Sequence, residues 1–350
     1  MHVRMPAEFE PHQHTWLLWP IRADNWRCNA AHAQKAMLEF ATKIAQYEPV
    51  RLGVPKCQLQ SVANLLPADV FPYVIEYDDV WVRDTGPTCV LQDRIVSAID
   101  WRFNSWGGLF DSWELDDSVP QQICSLEGIR TRSLNIILEG GAIHVDGAGT
   151  LLATEECLLS SNRNEGMTKR DYEDLFLEHL GVSRVIWIPR GIYADETGGH
   201  IDNMCAFFRT GHVLLSWCDD FHDANYDRCR EAFKVLKKSK DTRGVPIEIV
   251  RLPLPEPMHM TEEESETFAT SAGTISRRPG DRLGASYMNF YALNGAVIVP
   301  TFGQKSDDVA INVIQAAYPE RDVIAINSRE FVLGGGGPHC LTQHIPRYIA

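Results

Sequence analysis

A short pattern of two glycines, any residue, Ile or Pro, then His or Asp occurs three times in this chain. It reads Gly140-Gly141-Ala142-Ile143-His144, Gly198-Gly199-His200-Ile201-Asp202 and Gly335-Gly336-Gly337-Pro338-His339. The first two copies start 58 residues apart, and the third starts 137 residues later, close to twice that interval. Such spacing implies repeated units, each too small to bury its own apolar face, that bury it against neighbours. The wide gap holds a further unit, in which residues 285–290 and 291–293 lead to Asn294-Gly295 and a second apolar run, 296–300. This is a hairpin signal. Upstream, Asp79-Val80-Trp81-Val82-Arg83-Asp84-Thr85-Gly86-Pro87 leads into another hairpin-like pair, 88–91 and 94–99. Between these units, residues 29–47, 169–180, 226–236 and 308–318 place apolar side chains at helical spacing. Short strand-like runs, 185–189 and 247–250, follow two of them. No low-complexity linker or shift of composition marks a boundary. The expected architecture is a single α/β domain over residues 1–350, a closed ring of about five strand-strand-helix-strand repeats.

One strand tip per unit would then point at a shared axis. The tips carry Asp84, Glu139, His200 with Asp202, Asn289 and Cys340, so carboxylates, an imidazole and a thiol converge. The last tip follows four glycines, Gly334 to Gly337. Such a run packs no core, and suits a place where another group approaches the backbone closely. It is not a phosphate cradle, because no Gly-Lys-Ser/Thr follows it. Cys340 is therefore the candidate nucleophile.

Composition narrows the chemistry. With 44% hydrophobic and 23% charged residues, the chain has globular proportions. A net charge of −14 argues against nucleic acid as a partner and suits a cationic small substrate. The nine cysteines, an odd number without a Cys-x-x-Cys, suggest neither a disulfide framework nor a zinc ribbon. Acidic residues within the first ten positions do not fit a signal peptide, and no apolar run reaches membrane-spanning length. A cytoplasmic protein without a membrane partner is expected.

At the tips the sequence resembles the agmatine deiminases of the guanidine-modifying pentein superfamily, essentially end to end. The resemblance opens with Met5-Pro6-Ala7-Glu8-Phe9-Glu10-Pro11-His12 and Trp16-Leu17-Leu18-Trp19-Pro20. It continues through the 79–87 segment, Asp100-Trp101-Arg102-Phe103-Asn104, Leu138-Glu139-Gly140-Gly141 and Gly199-His200-Ile201-Asp202-Asn203. Gly280-Asp281-Arg282-Leu283-Gly284-Ala285-Ser286-Tyr287 and Cys340-Leu341-Thr342-Gln343 complete the ordered set. Pro338, Leu341 and the 344–346 tail depart from the usual pattern, away from the residues assigned to the reaction.

The resemblance implies a five-bladed pseudo-symmetric α/β propeller. It also implies a cofactor-free, metal-free hydrolase that converts agmatine and water to N-carbamoylputrescine and ammonia in putrescine and polyamine synthesis. Cys340 then corresponds to the nucleophile and His200 to the general acid/base. Asp84 and Asp202 correspond to the carboxylates that grip the guanidinium, and Glu139 to the acid that orients the histidine. Glu196 falls where the family contacts substrate, and Trp81, beside Asp84, is placed to flank the guanidinium. Relatives suggest a homo-oligomer, a dimer or larger.

These residue types suit the reaction. A guanidinium is planar and cationic, and carboxylates match its edges with charge-assisted hydrogen bonds. The same carboxylates disfavour a thiolate, so Cys340 is expected to be protonated in the empty site. A substrate cation about 4 Å away, at an effective dielectric near 20, supplies roughly 4 kcal/mol, about three pKa units. Bound substrate thus helps generate its own nucleophile. An acidic Glu196 at the far end is expected to favour agmatine's ammonium over arginine's carboxylate.

Plainer readings stand beside these. Arg83 and Asp84 form an ion pair in a turn, Glu139 caps one, and Trp81, Trp101 and Trp106 pack. Residues 261–266 begin a helix with acidic first-turn residues. The rival functions are a His/Asp/Cys zinc site, another guanidine enzyme, and a binding protein that lost the reaction. Joint retention of Cys340, His200, Asp84, Asp202 and Glu139 argues against the last.

Overall fold

A computed structural model of the chain describes residues 3–93, 95–270 and 273–347. Arg94, expected in the second strand of the first hairpin, lies outside them. Among the described residues the strands form five sheets, two of four strands and three of three.

All five sheets share one plan. Each has an antiparallel pair and a third strand that runs parallel to the second, reached through a helix. In the first sheet Thr88–Gln92 pairs with Ile95–Arg102, and Arg130–Ile137 follows helix Val119–Glu127. The second has Ile143–Val145, Thr150–Thr154, helix Lys169–Leu180 and Arg184–Ile188. The third has Cys205–Arg209, His212–Trp217, helix Asn225–Leu236 and Glu248–Pro253. The fourth has Tyr291–Leu293, Ala296–Thr301, helix Lys305–Ala317 and Asp322–Asn327. The fifth joins the two ends of the chain. Gln343–Pro346 pairs antiparallel with His12–Leu18, and Val50–Val54 follows helix Ala31–Ala45. A parallel partner needs a crossover of this kind, which is why a helix separates the second and third strands every time.

The local chemistry explains why several expected boundaries hold. Thr168 accepts from the amide of Asp171, whose carboxylate accepts from the amide of Thr168, so helix Lys169–Leu180 starts there. Gly181, at φ 69°, ends it. Helix Ala31–Ala45 buries Ala33, Met37, Phe40, Ala41 and Ile44 on one face. Thr261 and Glu264 form a similar box at the start of Glu262–Ser265, as the acidic run suggested.

Two expectations change. The 285–290 segment is not a strand, and the hairpin strand begins at Tyr291. Asn289 spends its carbonyl on the amide of His339, outside any sheet. Asp202 does not sit on a strand beside His200, because Ile201–Asn203 forms a 3₁₀ turn. The amide of His200 goes to Asp195 Oδ2 at 2.9 Å instead of to a ladder. Among the described residues no helix is long and apolar enough to cross a membrane.

Candidate active site

In every sheet the polar tip lies just before the first strand of the hairpin. Asp84 sits in the one-turn helix Val82–Thr85, ahead of Thr88–Gln92. Glu139 precedes the 3₁₀ turn Gly140–Ala142 that leads into Ile143–Val145. His200 and Asp202 precede Cys205–Arg209, Asn289 precedes Tyr291–Leu293, and Cys340 precedes Gln343–Pro346. None of these six side chains belongs to a residue more than 5% exposed.

Gly141 marks where they meet. A Cβ at that position would lie 2.7 Å from His200 Nδ1, 2.8 Å from Asp84 Oδ1 and 3.0 Å from Asp202 Oδ2. No side chain fits there, and glycine lets the three groups close in. Asp84 accepts from the Gly141 amide through Oδ1 and from Trp106 Nε1 through Oδ2, both at 2.9 Å. Asp202 Oδ2 accepts from His339 Nδ1 at 2.8 Å, Asn289 Nδ2 at 3.2 Å and the Cys340 thiol at 3.4 Å. Asn289 Nδ2 also lies 3.1 Å from Cys340 Sγ. His200 Nδ1 is 3.7 Å from Asp84 Oδ1. Among the described residues, Asp202 Oδ1 has no hydrogen-bond partner, and the His200 ring faces the Cys157 thiol as well as Asp84.

One pocket brings Trp81, Asp84, Trp106, Glu196 and Cys340 together, with Leu109 and Phe110 as apolar wall. Trp81 donates to Asp79 Oδ2 at 3.2 Å and packs on Trp26, with ring centres 5.3 Å apart. A Cβ at Gly336 would lie 2.5 Å from its ring, so the glycine run admits the indole as close approach requires. Glu196 departs from the expected free acid. It is ion-paired with Arg277, whose shielded side chain also donates to Asn25 Oδ1 at 2.7 Å.

Charges around the centre oppose one another. Burial pushes the Cys340 thiol well above its usual range, and Asp202 and Asp84 push it further. Burial works against a charged His200, but Asp84, Cys157 and Glu139 outweigh it and hold its pKa well above the ordinary imidazole value. For Asp202 burial is likewise the largest influence, yet His339 and His200 reverse it and the carboxyl is lowered. Asp84 stays raised, by burial first and by Asp202 second, with His200 opposing. The surroundings therefore favour the neutral thiol of Cys340 and the protonated form of His200, and they act in opposite directions on the two carboxyls.

The plainer readings of Asp84 and Glu139 do not hold. Arg83 pairs with Glu8 at 2.7 Å, not with Asp84. Glu139 makes no cap bond; Arg163 Nε lies 2.5 Å from its Oε1. Glu139, Cys157 and His200 offer three atoms within 4.8 Å of one another, a metal-like grouping. Arg163 already supplies the positive charge there. Several participants escaped sequence reasoning. Trp106 was read as packing, yet it holds Asp84, and Arg163 and Cys157 carry no signal in their neighbours. Asn289 was placed at a tip and His339 stood inside the glycine pattern, but no role followed for either.

The arrangement sets a buried thiol, an imidazole and two carboxylates on five repeated tips, and the comparisons with known proteins agree that the chain is an enzyme. A model of the family described as Porphyromonas-type peptidyl-arginine deiminase matches residues 4–346, and the chain belongs to that family. Its full-length relatives bear a narrower name. A putative agmatine deiminase 1 of Listeria monocytogenes is 44% identical over 350 residues, covering 98% of this chain and 96% of that protein. An agmatine deiminase of Medicago truncatula is 46% identical over 358 residues, with the same coverage of both. A solved agmatine deiminase of Enterococcus faecalis superposes with a TM-score of 0.96 at 36% identity, covering 99% of this chain and 97% of that one.

Proposed function

We propose that this enzyme converts agmatine and water to N-carbamoylputrescine and ammonia through a covalent amidino-cysteine at Cys340. The observation that carries the reading is the meeting of His200, Asp84 and Asp202 around Gly141, with the Cys340 thiol on Asp202. The full-length likeness to proteins named agmatine deiminase supports the choice of substrate.

Asp84 and Asp202 take the edges of the guanidinium, which fixes its central carbon before Sγ. The arriving positive charge offsets the two carboxylates, and Cys340 releases its proton to solvent, the proton that finally accompanies the departing ammonia. The thiolate attacks the carbon, His200 protonates the departing nitrogen, and ammonia leaves. The carbon stays bonded to sulfur as an amidino-thioether. Water, deprotonated by the now neutral His200, adds to that carbon; the C–S bond breaks, and the urea-type product and free thiol are released. Glu139, ion-paired with Arg163, lies beside His200. Trp81 and Trp106 wall the cation, and Glu196 takes the distal ammonium with the oxygen that Arg277 leaves free. The same reading arranges the five sheets as blades round one axis in a single catalytic domain, and places the product in putrescine synthesis.

Product analysis tests it. Purified protein is given equimolar agmatine and arginine with a chelator present. N-carbamoylputrescine and ammonia in equal amounts, without citrulline, are expected. Citrulline as main product would overturn the substrate, and no product from either would overturn the reaction.

A further inference from the structure

His339 is 4% exposed, and its ring stands between two carboxylates. Nδ1 lies 2.8 Å from Asp202 Oδ2, and Nε2 lies 2.9 Å from Glu8 Oε2. An ionised carboxylate only accepts, and a neutral imidazole has one N–H. Both contacts are satisfied when the ring carries two protons. The alternative, a protonated carboxyl, is opposed at both ends. Glu8 also accepts from Arg83 at 2.7 Å and from the Ala292 amide at 3.1 Å. Asp202 also accepts from Asn289 and from the Cys340 thiol.

We propose that His339 is a positioning residue, a standing imidazolium that keeps Asp202 charged and fixed while the substrate cation comes and goes. The inference rests on the proposed deiminase reaction. It divides labour between two histidines: His200 cycles its proton, and His339 keeps both.

Charge balance supports it. The carboxylates Glu8, Asp84, Glu139, Asp195 and Asp202 outnumber the guanidiniums Arg83 and Arg163 here. Protonated His200 and His339 therefore reduce a net negative charge, with Cys340 as a thiol. A substrate guanidinium then adds one positive charge, and ionisation of Cys340 cancels it. A neutral His339 would leave a proton to be shared with Asp202, weakening one of the two grips on the guanidinium. The other groups facing His339 are accounted for. Burial lowers His144 to about 4 and holds His344 well below the usual range, so both are neutral. On the far side Asp202 meets His200, Asp84 and Asp195, none of which replaces the lost cation when His339 is removed.

Two measurements test the proposal. Nitrogen-15 NMR of the full chain, with the His339 ring assigned through its backbone, reads its charge directly and needs no turnover. Both ring nitrogens are expected to be protonated at about pH 7. One bare nitrogen would overturn the proposal. In His339→Gln, the acid limb of kcat/KM for agmatine is expected to move up by roughly one pH unit, because Asp202 loses its cation. Activity then falls more below neutrality than above it. An equal loss at every pH would overturn the proposal and leave His339 a packing residue. If the variant does not fold, the NMR result decides. If the wild type leaves agmatine untouched, the reaction reading fails, while the ring's charge is still decided.

Discussion

Two buried carboxylates on this scaffold, Glu48 and Asp202, have opposite lives. Glu48 is saturated. Its Oε1 faces His12 Nδ1 at 3.1 Å, accepts from Thr15 and lies 3.4 Å from the Tyr291 hydroxyl, and its Oε2 accepts from the Asn294 amide at 2.9 Å. Those bonds tie strand His12–Leu18 to the hairpin of the fourth sheet. Asp202 has one oxygen engaged threefold and the other without a partner among the described residues. A scaffold carboxylate closes its accounts inside the protein. A site carboxylate keeps an acceptor for something that arrives.

The contrast breaks most visibly in catalysis. Cys340→Ala or His200→Ala is expected to lower kcat on agmatine by on the order of 10⁴-fold or more. The thermal midpoint should stay within a few degrees of wild type, because Asp202 keeps its bonds to His339 and Asn289 when the Cys340 thiol is removed. Asp202→Asn comes next, with a loss of about 10²- to 10³-fold and a melting midpoint only a few degrees lower, because Glu8 still pairs with His339. A large drop in stability there would make Asp202 a second Glu48.

Glu48→Ala should do the reverse. Losing one partner of a buried pair costs about 3 kcal/mol, read as a lower denaturation midpoint, while kcat of the folded fraction is kept. Its pH dependence has a definite sign. Burial raises the Glu48 carboxyl, but the His12 contact and charge and the Thr15 bond outweigh it, so the folded value lies below the ordinary one. The resulting stability is present above about pH 4.5 and is lost as pH falls through the folded value. Glu48→Gln should therefore flatten acid unfolding monitored by circular dichroism. A variant of Glu48 that folds but cannot turn over agmatine would erase the distinction.

The smallest effect is at the pocket's far end. Glu196→Gln is expected to raise KM for agmatine several-fold and leave kcat nearly intact, because the change spares the reacting atoms. The ion pair with Arg277 already offsets part of the charge of Glu196, which keeps this effect modest. Steady-state kinetics on agmatine would check it, and unchanged KM would remove Glu196 from the site.

Much of this was legible before any coordinates, for a physical reason. Hairpin turns, helix caps and apolar spacing are local, so the Asn294-Gly295 turn and helix Lys169–Leu180 lie where the chain says. Glycine runs announce close approach, and Gly141 and Gly336 supply it. Long-range partners are different. Nothing near Arg163 says that it meets Glu139, and nothing near Glu8 says that it shares His339 with Asp202. Arg83 beside Asp84 even suggested the wrong pair, because neighbours in sequence on a one-turn helix need not face each other. The strand tip expected to carry His200 and Asp202 is instead the Ile201–Asn203 turn, since the demand of Asp195 for the His200 amide is a contact of the folded site.

The most direct test of the account is acid quenching of agmatine turnover, followed by peptide mapping by mass spectrometry. The account predicts an adduct with the mass of agmatine less ammonia, on Cys340 alone, that vanishes as substrate is exhausted. Turnover without any adduct, or an adduct on Cys157 in place of Cys340, would contradict it.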